Sequence, residues 1–528
     1  MRDPLSLALG AGLGAGLGSG LSSALAPSPS DLPYPLAQAA LAWPRRAFIR
    51  WREEAPEGAQ EGARAGEARA LTYAEALELT RRDAARLALE LGDLRGARVG
   101  LGGAQGPAWV VRCLALSWLG ATVAPLRPSS PPEERARLLA ALGVTLALEA
   151  PSGLEGPEGL EGLEAPPPAD WAWERPLFAL TTSGTTGEPK PVLLSARALA
   201  MSAFGSAVRL GHLPDDVWLG CLPLHHVGGL STLTRALLCQ TTLLLCPPRP
   251  ARIAALLCAD EGEAEEAGAE EAGAEEGVTL GSLTPALLAA VLDALPPDAR
   301  PSPRLRALLI GGAPTPPELL ARALARGLPA RLTWGMSEAA SQVCTQLAAG
   351  APQGSSPPLP FTRVSLTGEG LLLVSGPTVE GGAHTSGDLG ALSAEGWVSV
   401  LGRADDLIIS GGLKVHPREV ELRLLAHPAV ADAAVAPAPH PAWGQRPVAY
   451  LCAREGAAPP SDEELRAWCD AALSPYKRPD AFVWLAALPR DPLGKLRRRD
   501  LPPPPAPAPL LADDPTTAPS AAPARPAR

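Results

Sequence analysis

Directly after the apolar run 177–180 the chain reads Thr181-Thr182-Ser183-Gly184-Thr185-Thr186-Gly187-Glu188-Pro189-Lys190. Glycines let backbone N–H groups come close to an anion, the hydroxyls add donors, and Lys190 adds a positive charge. Those are the parts of a phosphate clamp, although the same composition also suits an ordinary turn. A Walker-type loop is a different object, with four residues between its glycines and Lys-Ser or Lys-Thr after the second. Here only Thr185 and Thr186 separate Gly184 from Gly187, and Pro191 follows Lys190, so the Walker reading fails. Downstream, a histidine pair lies in Leu222-Pro223-Leu224-His225-His226-Val227-Gly228-Gly229-Leu230. Alone, such a pair is either a site or two satisfied structural side chains.

The elements that must hold these residues are legible in the apolar spacing. Residues 71–91 begin like a strand and continue with helical periodicity. Residues 97–101 read as a buried strand, 109–119 as a helix and 121–126 as the next strand, which predicts a parallel βαβ unit. The alternation resumes at 144–148, 178–180 and 305–310. A smaller domain begins soon after Arg403 and runs to about Asp500, with a strand at 448–451 and a helix over 462–472. Three stretches are expected outside the ordered core: a Gly/Pro/Glu linker at 151–170, an acidic low-complexity insertion over 260–277, and a Pro/Ala-rich tail over 501–528.

Composition bounds the rest. A chain of 528 residues is long enough for two or more domains. Apolar residues make up 46% but aromatics only 4%, so the core must be mostly aliphatic. The net charge of −10 is local, because residues 260–276 hold one Asp and eight Glu with no Lys or Arg. The remainder is close to neutral and offers no basic face for nucleic acid. Eight cysteines are scattered without a Cys-x-x-Cys pair, which argues for reduced, buried thiols and against a zinc site or a disulfide framework. Residues 1–30 form an apolar run broken by glycines, with Arg2 beside Asp3. That pattern predicts a disordered extension, and makes a poor signal peptide and a poor membrane span.

Taken together, residues 31–500 resemble the adenylate-forming superfamily of acyl-CoA synthetases, luciferases and peptide-synthetase adenylation domains. The resemblance implies an α/β fold: a large N-terminal AMP-binding domain of mixed and parallel sheets layered with helices, 31–402, and a small mobile α+β C-terminal domain, 403–500. It implies ATP, Mg2+ and coenzyme A, with Thr182, Ser183, Gly184, Thr185, Thr186, Gly187 and Lys190 around the phosphates. Pro191 stands where the family usually has Gly. His226 and Gly229 would border the acyl pocket, with His225 where an aromatic is often found. Gly311-Gly312-Ala313-Pro314 resembles the adenine-facing loop. Thr333-Trp334-Gly335-Met336-Ser337-Glu338 resembles Tyr-Gly-x-Thr-Glu, which implies a flat face near adenine from Trp334, a hydroxyl near the α-phosphate from Ser337, and a magnesium ligand in Glu338, a hard oxygen donor. Asp388 would accept both ribose hydroxyls, Arg403 would donate to ribose or phosphate, Asp405 would be the hinge, and Gly411-Gly412 would line the pantetheine path. The stretch ending Gly494-Lys495 resembles the catalytic-lysine motif, whose ammonium relieves repulsion between carboxylate and α-phosphate.

Within the superfamily, residues 222–238, 334–343 and 427–450 look closest to the 2-succinylbenzoate–CoA ligases of menaquinone biosynthesis. An aromatic dicarboxylate needs a cation away from the reacting carboxyl. Arg235, one turn past Ser231 on an otherwise apolar helix, is the candidate, against the alternative of a rim arginine packing its stem. Ser341 or Gln342 would meet the keto or second carboxylate group. Other readings are another aryl- or acyl-CoA ligase, a carrier-loading adenylation enzyme or, from a different class, a non-catalytic acyl-nucleotide binder. The last requires loss of Lys495 or Glu338, and both are present. The expected partners are a small carboxylic acid, ATP and coenzyme A in the cytoplasm, with no nucleic acid and no membrane span; self-association into a homo-oligomer stays open.

Overall fold

The computed structural model describes residues 34–52, 68–128, 130–154, 164–170, 172–183, 189–258, 277–351, 355–441, 443–491 and 494–505. The predicted N-terminal extension, nearly all of the acidic insertion and most of the C-terminal tail lie outside the described residues, as do 155–163 of the linker and 184–188 of the Ser/Thr/Gly loop.

Two sheets carry the large lobe. One runs in the order Leu146–Glu149, Arg98–Gly102, Thr122–Pro125, Pro176–Ser183, Pro189–Ser195, and its first four strands are parallel. The other runs Ser341–Thr345, Ala330–Met336, Ala307–Ile310, Leu280–Leu283, Val217–Gly220, Thr242–Leu245, Ala47–Arg52, Ala68–Thr72. Its interior pairs are parallel and both outermost pairs antiparallel. A four-stranded antiparallel sheet over 363–403 follows. The small lobe then wraps a mostly antiparallel sheet (Leu413–Val415, Ile408–Ser410, Gly444–Ala453, Val430–His440, with Ala481–Trp484 added in parallel) with the helices Pro417–Leu425 and Asp462–Asp470.

The local causes are visible in the sequence. Thr72 and Glu75 close a capping box that starts the helix Tyr73–Leu91, satisfying backbone donors that the first turn leaves open. That helix buries Tyr73, Ala76, Thr80, Ala84 and Leu87 on one face, the spacing of an amphipathic helix. Pro107–Trp118 is buried along almost its whole length. Its one buried charge, Arg112, makes a two-pronged ion pair with Asp83 at 2.5 and 2.9 Å. The predicted βαβ unit is present, with Arg98 in register with Thr122 across the crossover helix. One expectation is revised: the helix Val227–Cys239 is not apolar apart from its arginine. Ser231, Thr232 and Thr234 are also buried, and each hydroxyl donates to the carbonyl three residues back.

Parallel strands place their following loops on one edge of a sheet, the edge where α/β proteins bind ligands. The loops after Arg98–Gly102, Val217–Gly220, Leu280–Leu283, Ala307–Ile310 and Ala330–Met336 carry Gln105, His225-His226, Thr284, Gly311-Gly312 and Glu338.

Candidate active site

Gly311 turns the chain out of its strand where a side chain has no room: a Cβ there would lie 2.7 Å from the Thr333 methyl. Gly312 follows at φ +83°, a conformation that favours glycine. Ala313 and Pro314 complete the turn into the helix Pro317–Ala325. Beside it, the Trp334 indole N–H donates to Asp388 Oδ2 at 2.8 Å. The other Asp388 oxygen faces Arg403 Nη1 at 3.4 Å. Arg403 also grips Asp405, from Nε at 3.0 Å and Nη2 at 3.3 Å. Burial works against the Arg403 charge, but its two carboxylate partners more than offset that and raise its pKa. A Cβ on Gly387 would collide with the guanidinium at 2.3 Å, so this glycine makes the room in which Arg403 reaches Asp388.

Ser337–Glu338–Ala339 forms one helical turn. Glu338 is half-buried and has no hydrogen-bond or ion-pair partner among the described residues. Two non-glycine residues with positive φ follow, Ala340 at 53° and Ser341 at 102°. Such conformations cost about 1–3 kcal/mol each and cluster at functional sites. Their neighbours hold them in place. The Ser202 hydroxyl donates to the Ala340 carbonyl at 2.7 Å, and Gly335 is bare because a Cβ would lie 1.7 Å from the Ser341 carbonyl.

The strained serine aims at Arg235. Ser341 Oγ lies 3.2 Å from Ser231 Oγ and 3.4 Å from Arg235 Nη2. The arginine is no rim residue: it is 1% exposed. Its guanidinium lies 5.2 Å from the Trp218 ring centroid, its Nε has no partner, and no carboxylate stands within ion-pair range among the described residues. Burial pushes its pKa down to about 10. Gln342, the alternative, turns inward and donates to Thr345 Oγ1 at 2.8 Å.

The two histidine rings lie with centroids 4.4 Å apart, tilted by 48° to each other. His226 caps the helix Val227–Cys239, and Gly229 in its first turn has only 2.2 Å between a notional Cβ and the Pro223 carbonyl oxygen. Burial first, then the Arg127 charge, pushes His226 down to about 4, with Asp491 opposing. His225 is pushed to about 3 by burial and by His226. Gln105 braces His225 and the residue before it: its Oε1 accepts the Leu224 N–H at 2.7 Å and its Nε2 lies 3.1 Å from His225 Nδ1. Sequence spacing gave no signal for Gln105, Arg127 or Trp218.

The small lobe comes to this same edge. The notional Cβ of Gly494 would sit 2.3 Å from that of Ala286, just after Thr284. The Lys495 side chain is exposed and makes no ion pair with another described residue. Gly411 and Gly412 are exposed. Of the Ser/Thr/Gly loop, Gly184, Thr185, Thr186 and Gly187 lie outside the described residues. Its base is a hairpin pairing Thr182 with Lys190 and Ser183 with Pro189. No group of three or more His, Cys, Asp or Glu able to hold a metal occurs among the described residues. The donors present therefore fit a magnesium ion carried on phosphates and touched by one carboxylate, the mode usual for that ion.

This two-lobed architecture, with polar groups gathered in the loops after its parallel strands, is that of the adenylate-forming enzymes. Residues 37–387 match the AMP-binding enzyme family and residues 419–495 its C-terminal domain, and the chain belongs to that family. A 2-succinylbenzoate–CoA ligase from Bacillus cereus is 36% identical over 364 residues, covering 63% of this chain and 71% of that protein. The o-succinylbenzoate CoA synthetase (MenE) from Bacillus subtilis in complex with the acyl-adenylate intermediate OSB-AMP matches with a TM-score of 0.72 at 28% identity, over 89% of this chain and 98% of that one. In complex with ATP and magnesium ion, the same enzyme gives 0.72 at 27% identity, over 89% and 99%.

Proposed function

We propose that the chain is an ATP-dependent acid–thiol ligase that converts 2-succinylbenzoate to 2-succinylbenzoyl-CoA through an acyl-adenylate, a step of menaquinone biosynthesis. The observation that carries the substrate is Arg235, a buried guanidinium beside two serine hydroxyls, with no carboxylate within ion-pair range among the described residues. Burying an unpaired charge costs several kcal/mol, and a ligand carboxylate supplies the missing partner.

In the first half-reaction a carboxylate oxygen attacks the α-phosphorus of ATP, and the bond to the departing pyrophosphate breaks. Asp388 and Arg403 hold the ribose, with Asp388 oriented by the Trp334 indole. Gly311-Gly312 and the Trp334 ring bound the adenine. Thr182, Lys190 and the loop between them cradle the β- and γ-phosphates, and Ser337 reaches the α-phosphate. Glu338 would touch a magnesium ion carried on ATP, which would supply neutralisation of phosphate charge. Lys495 offsets the negative charge gathering where two anions meet, a stabilisation largest at the transition state. His226 and Gly229 line the acyl pocket, neutral and close-packed, so neither adds a charge at the reacting carboxyl.

In the second half-reaction the small lobe turns at Asp405, Lys495 withdraws and Gly411-Gly412 replaces it. The sulfur of coenzyme A attacks the acyl carbon, the C–O bond to AMP breaks, and the thiol proton leaves to solvent. Alternation of this kind is hinge motion between packed bodies. The reading places the enzyme in the cytoplasm, with its two nucleotide substrates; the eight cysteines are free, and no described helix is long and apolar enough to cross a membrane.

Pyrophosphate release measured against 2-succinylbenzoate, benzoate and fatty acids tests the assignment. 2-Succinylbenzoate should give the highest kcat/KM, and a monocarboxylate clearly ahead of it would remove the substrate while leaving the adenylation chemistry.

A further inference from the structure

The turn Ser410-Gly411-Gly412 joins two three-residue strands, with Gly411 at φ +57° and Gly412 at +81°. Short strands and exposed glycines do not fix a loop by themselves. Something else holds this one. The Gly411 N–H donates to the Trp443 carbonyl at 2.9 Å, and the Trp443 ring lies so close that a Cβ on Gly411 would come within 2.4 Å of it. Behind both stands Arg446, its side chain only 12% exposed. Its Nε donates to Asp480 Oδ1 at 2.8 Å. One Nη donates to Ser410 Oγ at 3.2 Å and to the Tyr476 carbonyl at 3.0 Å. The other donates to the carbonyls of Arg478 at 3.1 Å and Pro475 at 3.4 Å. The guanidinium also lies 5.5 Å from the Trp443 ring centroid.

We propose that Arg446 is a positioning residue for thioester formation. Its fork fixes the Ser410–Gly412 turn against the turn at 475–478, so that the rotated lobe presents one preformed wall to the thiol arm. This rests on the reading of Gly411-Gly412 as the coenzyme A loop. A planar guanidinium can join a hydroxyl, three carbonyls and a carboxylate at once, whereas an ammonium offers three donors from a single point. The apolar core of the lobe, with Ile408, Val420, Leu424, Val435 and Leu451, is separately built. Adenylation uses the Lys495-bearing loop, and none of the hydrogen bonds of Arg446 reaches that loop.

The experiment separates the two half-reactions in the full-length enzyme. Pyrophosphate release without coenzyme A reports adenylation, and transfer from preformed acyl-adenylate to coenzyme A reports the second step. Arg446→Met should leave the first within about twofold and slow the second by about tenfold or more, mainly through KM for coenzyme A. Arg446→Lys should recover little of the loss. Ser410→Ala, which removes a single bond and keeps the lobe intact even if Arg446→Met does not fold, should shift the second step in the same direction by a smaller factor. Equal loss in both half-reactions, or an unchanged second step, overturns the proposal. Gly411→Val tells the two levels apart: if it leaves transfer intact, the coenzyme A loop itself is misassigned. If it blocks transfer while Arg446→Met does not, only the role of Arg446 falls.

Discussion

Gly494 packs on Ala286 with room for hydrogen and nothing larger, the notional Cβ of the glycine lying 2.3 Å from the Cβ of the alanine. This contact ties the loop of the small lobe that carries Lys495 to the strand edge of the large lobe that carries Thr284 and Gly311. A second tie crosses the lobes from Arg454 to Glu318 at 3.0 Å. Lys495 follows the glycine that makes this contact, its side chain is exposed, and in the proposed reaction the packing at Gly494 brings it to the large lobe.

Lys495→Ala should therefore lower adenylation by about a hundredfold or more while sparing transfer from supplied acyl-adenylate, since the charge acts at one transition state only. Gly494→Val should reproduce part of the effect with the ammonium intact, because the added methyls push the loop off Ala286 and φ of +82° disfavours a branched side chain. Single-turnover measurements of both half-reactions check this. Equal loss in the two steps for Lys495→Ala would contradict the alternation scheme.

The proposed ribose site yields a different signature. Asp388 receives the Trp334 indole N–H on one oxygen and faces Arg403 with the other. Asp388→Asn keeps the shape but loses a charge and one acceptor, so KM for ATP should rise by about tenfold with KM for the acid little changed. A larger change in the acid term than in the ATP term would place Asp388 elsewhere.

Acid stability follows from histidines depressed by burial, most strongly three of them. Burial holds His212 at about 4, His226 at about 4 and His225 at about 3, against an ordinary value of 6.5. Between these values the unfolded chain binds protons that the folded one refuses. Their contribution is therefore complete above about pH 6.5 and is lost as pH falls toward 4. Calorimetry should show Tm falling through that window. His212 packs edge-on against Trp218 and neither ring nitrogen has a hydrogen-bond partner among the described residues, so His212→Phe should keep the packing and flatten part of the decline. An unchanged slope would show that His212 titrates normally.

How far the sequence reached can be read from particular residues. The crossover of Arg98–Gly102, Pro107–Trp118 and Thr122–Pro125 was legible because apolar runs and helical spacing encode burial directly. Glu338, Asp388 and Lys495 could be singled out as candidates because their motifs are local. Gln105 and Trp218 were not, since one acts across 119 residues through its amide and the other looks like any core aromatic in a strand. Arg235 was found, but its burial was not: the helix reads as apolar with one exception only until Ser231, Thr232 and Thr234 are seen to turn their hydroxyls back onto their own backbone.

The burial of Arg235 makes the sharpest expectation, because stability and function should part. Replacing a buried, unpaired charge with an apolar side chain of similar size is often neutral or stabilising. Arg235→Leu should thus keep or raise Tm in the ligand-free enzyme. Its kcat/KM for 2-succinylbenzoate should fall by about a hundredfold, whereas the mono-acids lacking one or the other carboxylate should include one whose kcat/KM changes by less than about threefold, since that acid never used the guanidinium. Arg235→Lys should sit between, as an ammonium keeps the charge but loses the fork. Thermal melts and steady-state kinetics on the three acids measure all of this at once. A lower Tm together with an equal loss on every acid would mean that Arg235 serves the fold and that the second carboxylate binds elsewhere.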